Sequence, residues 1–139
     1  MLKAIVKGRL VMTFFKRHVS IRVAERMPYI PNKEMKETIT EMIINGLSLQ
    51  WEKDLKEGKR PGFAYGEEYA IKSESMDITL VIGIDKYDNL SWSQQDELSA
   101  NIDMLSENEA VLPLTIAYIK TVFPSSFKVK EGTTIIEIP

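Results

Sequence analysis

The chain has 139 residues, a formal net charge of −2 and no cysteine, and these properties exclude several classes of protein. A chain of this length forms one domain that buries roughly two-thirds of its unfolded surface. Without cysteine it has no disulfides, no thiolate zinc site and no cysteine nucleophile. No apolar run approaches the roughly 20 residues that cross a bilayer. We therefore expect a cytoplasmic protein, of a cell or of an infected host cell, with no membrane partner.

The amino terminus is apolar but lacks the pattern of an export signal. Lys7, Gly8 and Arg9 interrupt the apolar stretch, whereas a signal peptide needs an unbroken apolar block. Met12 is an alternative start. In that case residues 1 to 11 form a loosely packed extension of the domain.

The charges are divided unevenly along the chain. Residues 1 to 26 carry seven Lys or Arg against one Glu, a balance of +6. Residues 67 to 109 carry eleven acids against two lysines, a balance of −9. Either the two parts attract each other within the fold, or exposed surfaces of one sign steer a partner.

Alternating apolar residues predict two amino-terminal strands. The first runs from Lys3 to Phe15, with a turn or bulge at Lys7-Gly8-Arg9. The second runs from His18 to Glu25, where Val19, Ile21 and Val23 share one face. His18 lies on a basic face, which suits an edge strand because charge blocks edge-to-edge pairing. The other basic residues of these strand faces are Arg9, Arg17 and Arg22.

A helix is predicted after a connector bracketed by Pro28 and Pro31. Asn32 has the side chain of an N-cap, so the helix would run from Lys33. Its apolar residues at helical spacing are Met35, Ile39, Met42 and Ile43, and this spacing favours the core over an adaptable methionine surface. Gly46 ends or bends the helix, so one long bent helix and two short helices both remain open.

The segment from Glu57 to Glu67 predicts a loop, because it contains three glycines and a proline. It combines basic and aromatic residues that could hold phosphates or stack on bases. No Gly-Lys-Ser/Thr or GxGxxG motif accompanies them, so nucleic acid is a weakly supported partner. The residues of this possible anion or nucleic-acid contact are Lys56, Lys59, Arg60, Phe63 and Tyr65.

Met76 to Asp85 predicts the central strand, because it is β-branched and almost free of charge. Glu68 to Ser73 predicts a shorter strand paired with it. A helix from Trp92 or Gln94 to Leu105 follows, since Ser91 and Gln94 have the spacing of a capping box. Its apolar stripe consists of Leu98, Ile102 and Leu105.

The carboxyl-terminal third is ambiguous. Ser106 and Glu109 form another capping-box spacing. Residues 112 to 123 fit both a helical face and an alternating strand, and we favour the helix. Residues 127 to 129 and 134 to 138 predict a terminal hairpin.

The predicted order is ββ-α(α)-ββ-αα-ββ over a single domain, residues 1 to 139. This order is typical of an α+β fold. We expect a mixed or antiparallel sheet of about five or six strands, with two to four helices packed mainly on one face.

The available chemistry is narrow. His18 is the one histidine, and no GxSxG motif supplies a nucleophile for a catalytic triad, so we expect no catalytic residues. Zinc needs several nitrogen or sulfur ligands, which the chain lacks. Asp85 and Asp88 could hold Mg²⁺ or Mn²⁺ for phosphodiester hydrolysis, but Leu90 stands where an EF-hand loop needs glycine. No cofactor and no metal is therefore expected, with a site at these two aspartates as the minority alternative.

The run Asp85-Lys86-Tyr87-Asp88-Asn89-Leu90 after an apolar strand resembles the Asp-x-Asp-Asn-Leu element of RusA-type Holliday-junction resolvases. That resemblance implies a small Mg²⁺-dependent α/β nuclease. It covers six residues, has one additional residue between the aspartates, and has acids where the family has basic residues. We interpret the run instead as a turn that leads into a capped helix.

The acidic residues predict a surface for a basic protein partner. They are Asp85, Asp88, Asp96, Glu97, Asp103, Glu107 and Glu109. Trp92, at the start of a helix beside them, has the position of an interface anchor. Small acidic domains without cysteine suit inhibitors, immunity proteins and phage accessory factors, so we expect a non-catalytic binding or regulatory protein. The alternatives are a divalent-metal nuclease and an assembly subunit that forms homo-oligomers through its basic amino-terminal strands.

Overall fold

The chain folds around a six-stranded mixed sheet. The computed structural model describes residues 1–15, 17–26 and 32–139. The strands are β1 (Leu2–Val6), β2 (Arg9–Phe14), β3 (Glu68–Ser73), β4 (Ile78–Asp85), β5 (Leu114–Phe123) and β6 (Thr134–Ile138). The helices are α1 (Arg17–Arg26), α2 (Asn32–Lys56), α3 (Trp92–Ile102) and α4 (Glu107–Ala110), and a 3₁₀ turn spans Tyr87–Asn89. This is the single α+β domain that the sequence predicts.

The strand order is β1-β2-β5-β4-β3-β6. β5 lies parallel to β2 and antiparallel to β4, so a strand from late in the chain closes the sheet between two earlier ones. β6 is parallel to β3, and the other neighbours are antiparallel. β4 lies inside the sheet and every residue except Asp85 is buried, which confirms the predicted central strand.

The helices α1 and α2 cover one face of the sheet, which we call the first face. α2 is a single helix, which decides between the two alternatives for this segment. Gly46 lies in its middle, where an added Cβ would be 2.6 Å from Ile71 Cδ1, so glycine permits a close approach of α2 to β3. The predicted apolar stripe is confirmed, since Met35, Ile39, Met42 and Ile43 are all buried in this core.

The helix α3 covers part of the second face. Its Leu98 packs with Leu90 against side chains of β2 and β5, and the predicted partners Ile102 and Leu105 are partly buried there. Residues 127–133 lie beside another part of this face, near Val81 of β4 and Phe123 of β5. The strand residues of this second core, which alternate with those of the first, are Leu10, Met12, Phe14 and Ile116.

The predicted strand from His18 to Glu25 is wrong, because the segment forms α1. Val19 and Val23 lie four residues apart and are fully buried, whereas Ile21 between them is 50% exposed. This is the helical period. Arg9 lies on β2, an inner strand, and Arg22 is exposed on α1, so the predicted basic edge strand does not form.

The predicted helix over residues 112 to 123 is also wrong, because Leu114–Phe123 form β5. Pairing with strands on both sides decides the ambiguity in favour of the alternating pattern. The terminal hairpin is wrong as well, since residues 127–129 form no strand and β6 pairs with β3.

The amino-terminal residues belong to the core. Residues 2–6 form β1, which pairs with β2 through a turn at Lys7 and Gly8, and Leu2, Ala4 and Val6 are buried. A loosely packed extension over residues 1 to 11 therefore does not describe them. In the described part of the chain, no helix combines the length and the apolar character needed to cross a membrane.

The predicted connector at Pro28 and Pro31 lies outside the described residues. The side chains of His18, Arg17 and Asn32 lie outside the described part as well, so the basic-face and N-cap predictions for them are not addressed.

Candidate functional site

Three of the seven predicted acids belong to α3 or its C-cap, and two of them, Asp96 and Asp103, lie on its exposed side. The capping box of Ser91 and Gln94 starts the helix, and both of its hydrogen bonds are present, at 3.2 and 3.0 Å. Burial of Leu98 fixes the opposite side against the second core. Side chains at i, i+4, i+7 and i+11 therefore point outward together. This exposed "α3 row" consists of Trp92, Asp96, Ser99 and Asp103.

Two of the predicted acids are used within the fold. Glu109 Oε2 lies 2.6 Å from Lys3 Nζ, and this hydrogen bond, with that from the Ser106 backbone, holds the pKa of Glu109 below its usual value. Glu97 Oε1 lies 3.7 Å from the amino nitrogen of Met1. These contacts join the basic and acidic parts of the chain, as one of the two charge interpretations predicts.

The other predicted acids form no salt bridge with any described residue; they are Asp85, Asp88, Asp96, Asp103 and Glu107. Four of them are exposed, and Asp85 is half-buried at the end of β4. Because no cation neutralises them in the described structure, they give this side of the molecule a negative field.

Trp92 is 87% exposed, more than any other large hydrophobic side chain in the described part. It occupies the first turn of α3, directly beside the capping box. Exposure of one apolar side chain is ordinary, but an indole in line with unpaired carboxylates has the composition of an interface anchor.

A polar cleft of about 460 Å³ adjoins the start of α3. Backbone hydrogen bonds hold the end of the loop at residues 57–67 against the end of β4. Gly66 N donates to Ile84 O at 3.0 Å, and Ile84 N donates to Glu67 O at 2.9 Å. The cleft combines a carboxylate, two amides and two phenols. Its polar side chains are Tyr65, Asp85, Asn89, Gln94 and Tyr118.

The two tyrosines are held in different ways. Asn89 Nδ2 donates a hydrogen bond to the Tyr65 hydroxyl, and Lys86 Nζ lies 4.6 Å from the Tyr65 ring centroid. Tyr118 lies over Gly83, where an added Cβ would be 2.5 Å from the phenol carbon and oxygen. Burial raises the pKa of the Tyr118 hydroxyl, and the nearby Glu68 carboxylate adds to this effect.

The structure places the residues of the predicted anion contact in different surroundings. Phe63 is half-buried, with its ring 5.9 Å from Trp51 and 6.2 Å from Tyr69, so it packs against the core. Lys59 pairs with Glu57 at 3.0 Å. Of the remaining three residues, Arg60 is exposed on the loop, Lys56 ends α2 and Tyr65 joins the polar cleft.

Among the described residues, no three His, Asp or Glu side chains form a group that could hold a metal ion. Asp85 lies in the polar cleft, and Asp88 is exposed on the 3₁₀ turn. Metal binding by these two aspartates stays an untested prediction.

The comparisons give no functional information. The chain matches no family model, and no curated protein or solved structure shows detectable similarity to it.

The sequence did not reveal the polar cleft. Tyr118 fell in the segment interpreted as a helix, so it could not be placed beside Asp85. The signal that could have located it is Gly83, because a glycine inside a strand often marks the close approach of another group.

Proposed function

We propose that this is a non-catalytic binding protein whose α3 row contacts a basic protein surface. The observation that carries the proposal is Trp92, which is 87% exposed and in line with Asp96 and Asp103. Indole side chains frequently supply the central anchor of an interface, and the surrounding charges select the partner and accelerate association.

The polar cleft supports the same proposal. Asp85 supplies a carboxylate, and Tyr65 and Tyr118 supply aromatic surface on the same cleft. This combination suits the ammonium or guanidinium group of a partner's lysine or arginine. The contact of Lys86 with Tyr65 indicates that a cation is compatible with this ring.

The proposal predicts which variants lose the partner. Wild-type protein, Trp92→Ala and Asp96→Lys/Asp103→Lys are immobilised, and the proteins that each captures from the native source are compared. A basic protein should bind to the wild type and be lost from both variants. Trp92→Ala should weaken its Kd by about 30-fold, which corresponds to about 2 kcal/mol for an anchor residue.

The matched control is Glu34→Lys/Glu37→Lys, which reverses two exposed charges on α2. It should retain the partner, because α2 packs on the first face of the sheet. Equal capture by all four proteins would remove the α3 row from the interface. Capture of an acidic partner would contradict the electrostatic mechanism.

A further inference from the structure

A second cavity lies on the part of the second face that α3 leaves uncovered. It has a volume of about 290 Å³ and lies between the sheet and residues 124–133, which we call the strap. This volume is near the lower end of the range for small-molecule sites, about 300–1,000 Å³. From its lining we propose that the strap groove binds a small amphipathic carboxylate.

The interior of the strap groove is largely apolar and aromatic. Val81 of β4 and Phe123 of β5 contribute from the sheet. Phe127 contributes from the strap, and its ring stacks on Phe123 with centroids 3.9 Å apart and planes 7° apart. Phe127 is 46% exposed, so part of its surface remains available to a ligand. Such a lining favours a short aliphatic or aromatic body.

One polar side chain that lines the groove has no hydrogen-bond partner among the described residues. Thr121 lines the cavity and is 9% exposed, and its buried Oγ1 forms no hydrogen bond with any described residue. It faces Val81 across the β4–β5 pair, which offers no hydrogen-bonding side chain. A buried hydroxyl without a partner is unfavourable. A ligand oxygen that accepted its hydrogen bond would remove that cost.

The mouth of the groove is basic. Lys128 and Lys130 are exposed and form no salt bridge with any described residue. Lys120 also lines the cavity, and its charge is neutralised by Glu68, whose Oε1 lies 3.0 Å from Lys120 Nζ. Two free ammonium groups beside an apolar interior select an anion over a neutral or cationic ligand.

The strap is fixed at its start, so the groove exists before a ligand enters. Asp77 Oδ1 accepts hydrogen bonds from Ser125 N at 3.0 Å and from Ser125 Oγ at 2.7 Å. Thr79 Oγ1 donates to the carbonyl of Pro124 at 3.3 Å. The far end of the strap continues into β6, which pairs with β3. A preformed cavity lowers the entropic cost of binding.

The first test is a ¹H–¹⁵N NMR titration of the whole chain with 3-phenylpropanoate, octanoate and the neutral 3-phenylpropanamide. We expect both carboxylates to shift the amide resonances of Thr121, Phe123 and residues 127–130. The amide should bind at least about threefold more weakly, because it lacks the charge that the lysines attract. The proposal is overturned if no carboxylate shifts these resonances up to about 10 mM, ten times a Kd of 1 mM. It is also overturned if the amide binds as well as the carboxylates.

Two variants separate the hydroxyl from the lysines. Thr121→Val should weaken carboxylate binding roughly tenfold, the fold-change expected for one charge-assisted hydrogen bond, and should raise the Tm of the free protein. Lys128→Gln/Lys130→Gln should weaken carboxylate binding about twofold to fivefold and reduce its salt dependence.

Each variant has a matched control. Thr13→Val removes a second buried threonine hydroxyl that lacks a partner among the described residues, so it should raise the Tm without changing ligand binding. Lys36→Gln removes an exposed lysine on α2 and should leave binding unchanged. Equal weakening by Thr13→Val and Thr121→Val would assign the effect to the fold and overturn the proposal. None of these variants alters the α3 row, so this site and the proposed function are tested separately.

Discussion

Replacement of Gly46 by alanine tests how closely α2 approaches the sheet. An added Cβ would lie 2.6, 2.7 and 2.9 Å from Cδ1, Cγ1 and Cγ2 of Ile71, which is fully buried. In a helix interior, alanine normally stabilises by about 1 kcal/mol relative to glycine. Overpacking of a core costs about 1–3 kcal/mol. The free energy of unfolding should therefore fall by about 0–2 kcal/mol.

The same substitution should become stabilising when Ile71 is truncated. Ile71→Ala alone should cost about 2–5 kcal/mol, because it leaves a cavity. It also removes the three atoms that the new methyl group would meet. Gly46→Ala in that background should then raise stability by about 1 kcal/mol. The four proteins to compare are the wild type, the two single variants and the double variant. Their urea unfolding, monitored by far-UV circular dichroism, measures this change of sign when their m-values are equal.

Asn45→Ala is the control, because Asn45 is exposed on the same helix and reports helix propensity without the contact. It should be stabilising by a few tenths of a kcal/mol up to about 0.7 kcal/mol in both backgrounds. If Gly46→Ala stabilises the wild-type protein as much as Asn45→Ala does, α2 does not lie against β3 as described.

Three further predictions concern other parts of the fold. Hydrogen bonds from Ser125 lower the pKa of Asp77, so its contribution to stability is present above the unfolded carboxyl pKa of about 3.9 and is lost as the pH falls through the folded value. Asp77→Asn should make the urea midpoint depend less on pH between pH 7 and pH 3. An unchanged pH dependence of the midpoint would contradict this prediction. Burial raises the pKa of Tyr69 to about 12, so spectrophotometric titration should show a late ionisation that Tyr69→Phe removes, and stability should fall above pH 10 as the unfolded tyrosine ionises first. Gly83→Ala should displace the Tyr118 phenol, cost about 1 kcal/mol and alter the near-UV spectrum, whereas in a Tyr118→Ala background the cost should disappear.

Local patterns predicted the central strand and the two capped helix starts. The uncharged run before Asp85 could only be an inner strand, and both serine capping boxes form as their spacing predicts. The spacing of Val19 and Val23 fits a helix as well as a strand, whereas Ile21 fits the strand alternation alone. The helical period prevails because two of them contact the core while Ile21 faces outward, and that contact depends on the sheet.

The candidate site was predictable only in part for the same reason. The exposure of Trp92 and Asp96 follows from the helical periodicity of α3, which the sequence contains. The pairing of Glu109 with Lys3 depends on the position of α4 beside β1, and the position of Tyr118 beside Asp85 depends on the pairing of β4 with β5. Long-range pairing of this kind has no local signature.

The position of β5 between β2 and β4 also bears on how the protein folds. Leu10 pairs with Leu114, so the amino-terminal hairpin is synthesised early and remains without its neighbour until late in translation. Contacts so distant in sequence are slow to form, because the loop between them must close first. During that interval the free edge of β2, with its buried apolar residues, can pair with another chain. We therefore expect aggregation during refolding to depend on this edge, and truncation before β5 to leave it exposed.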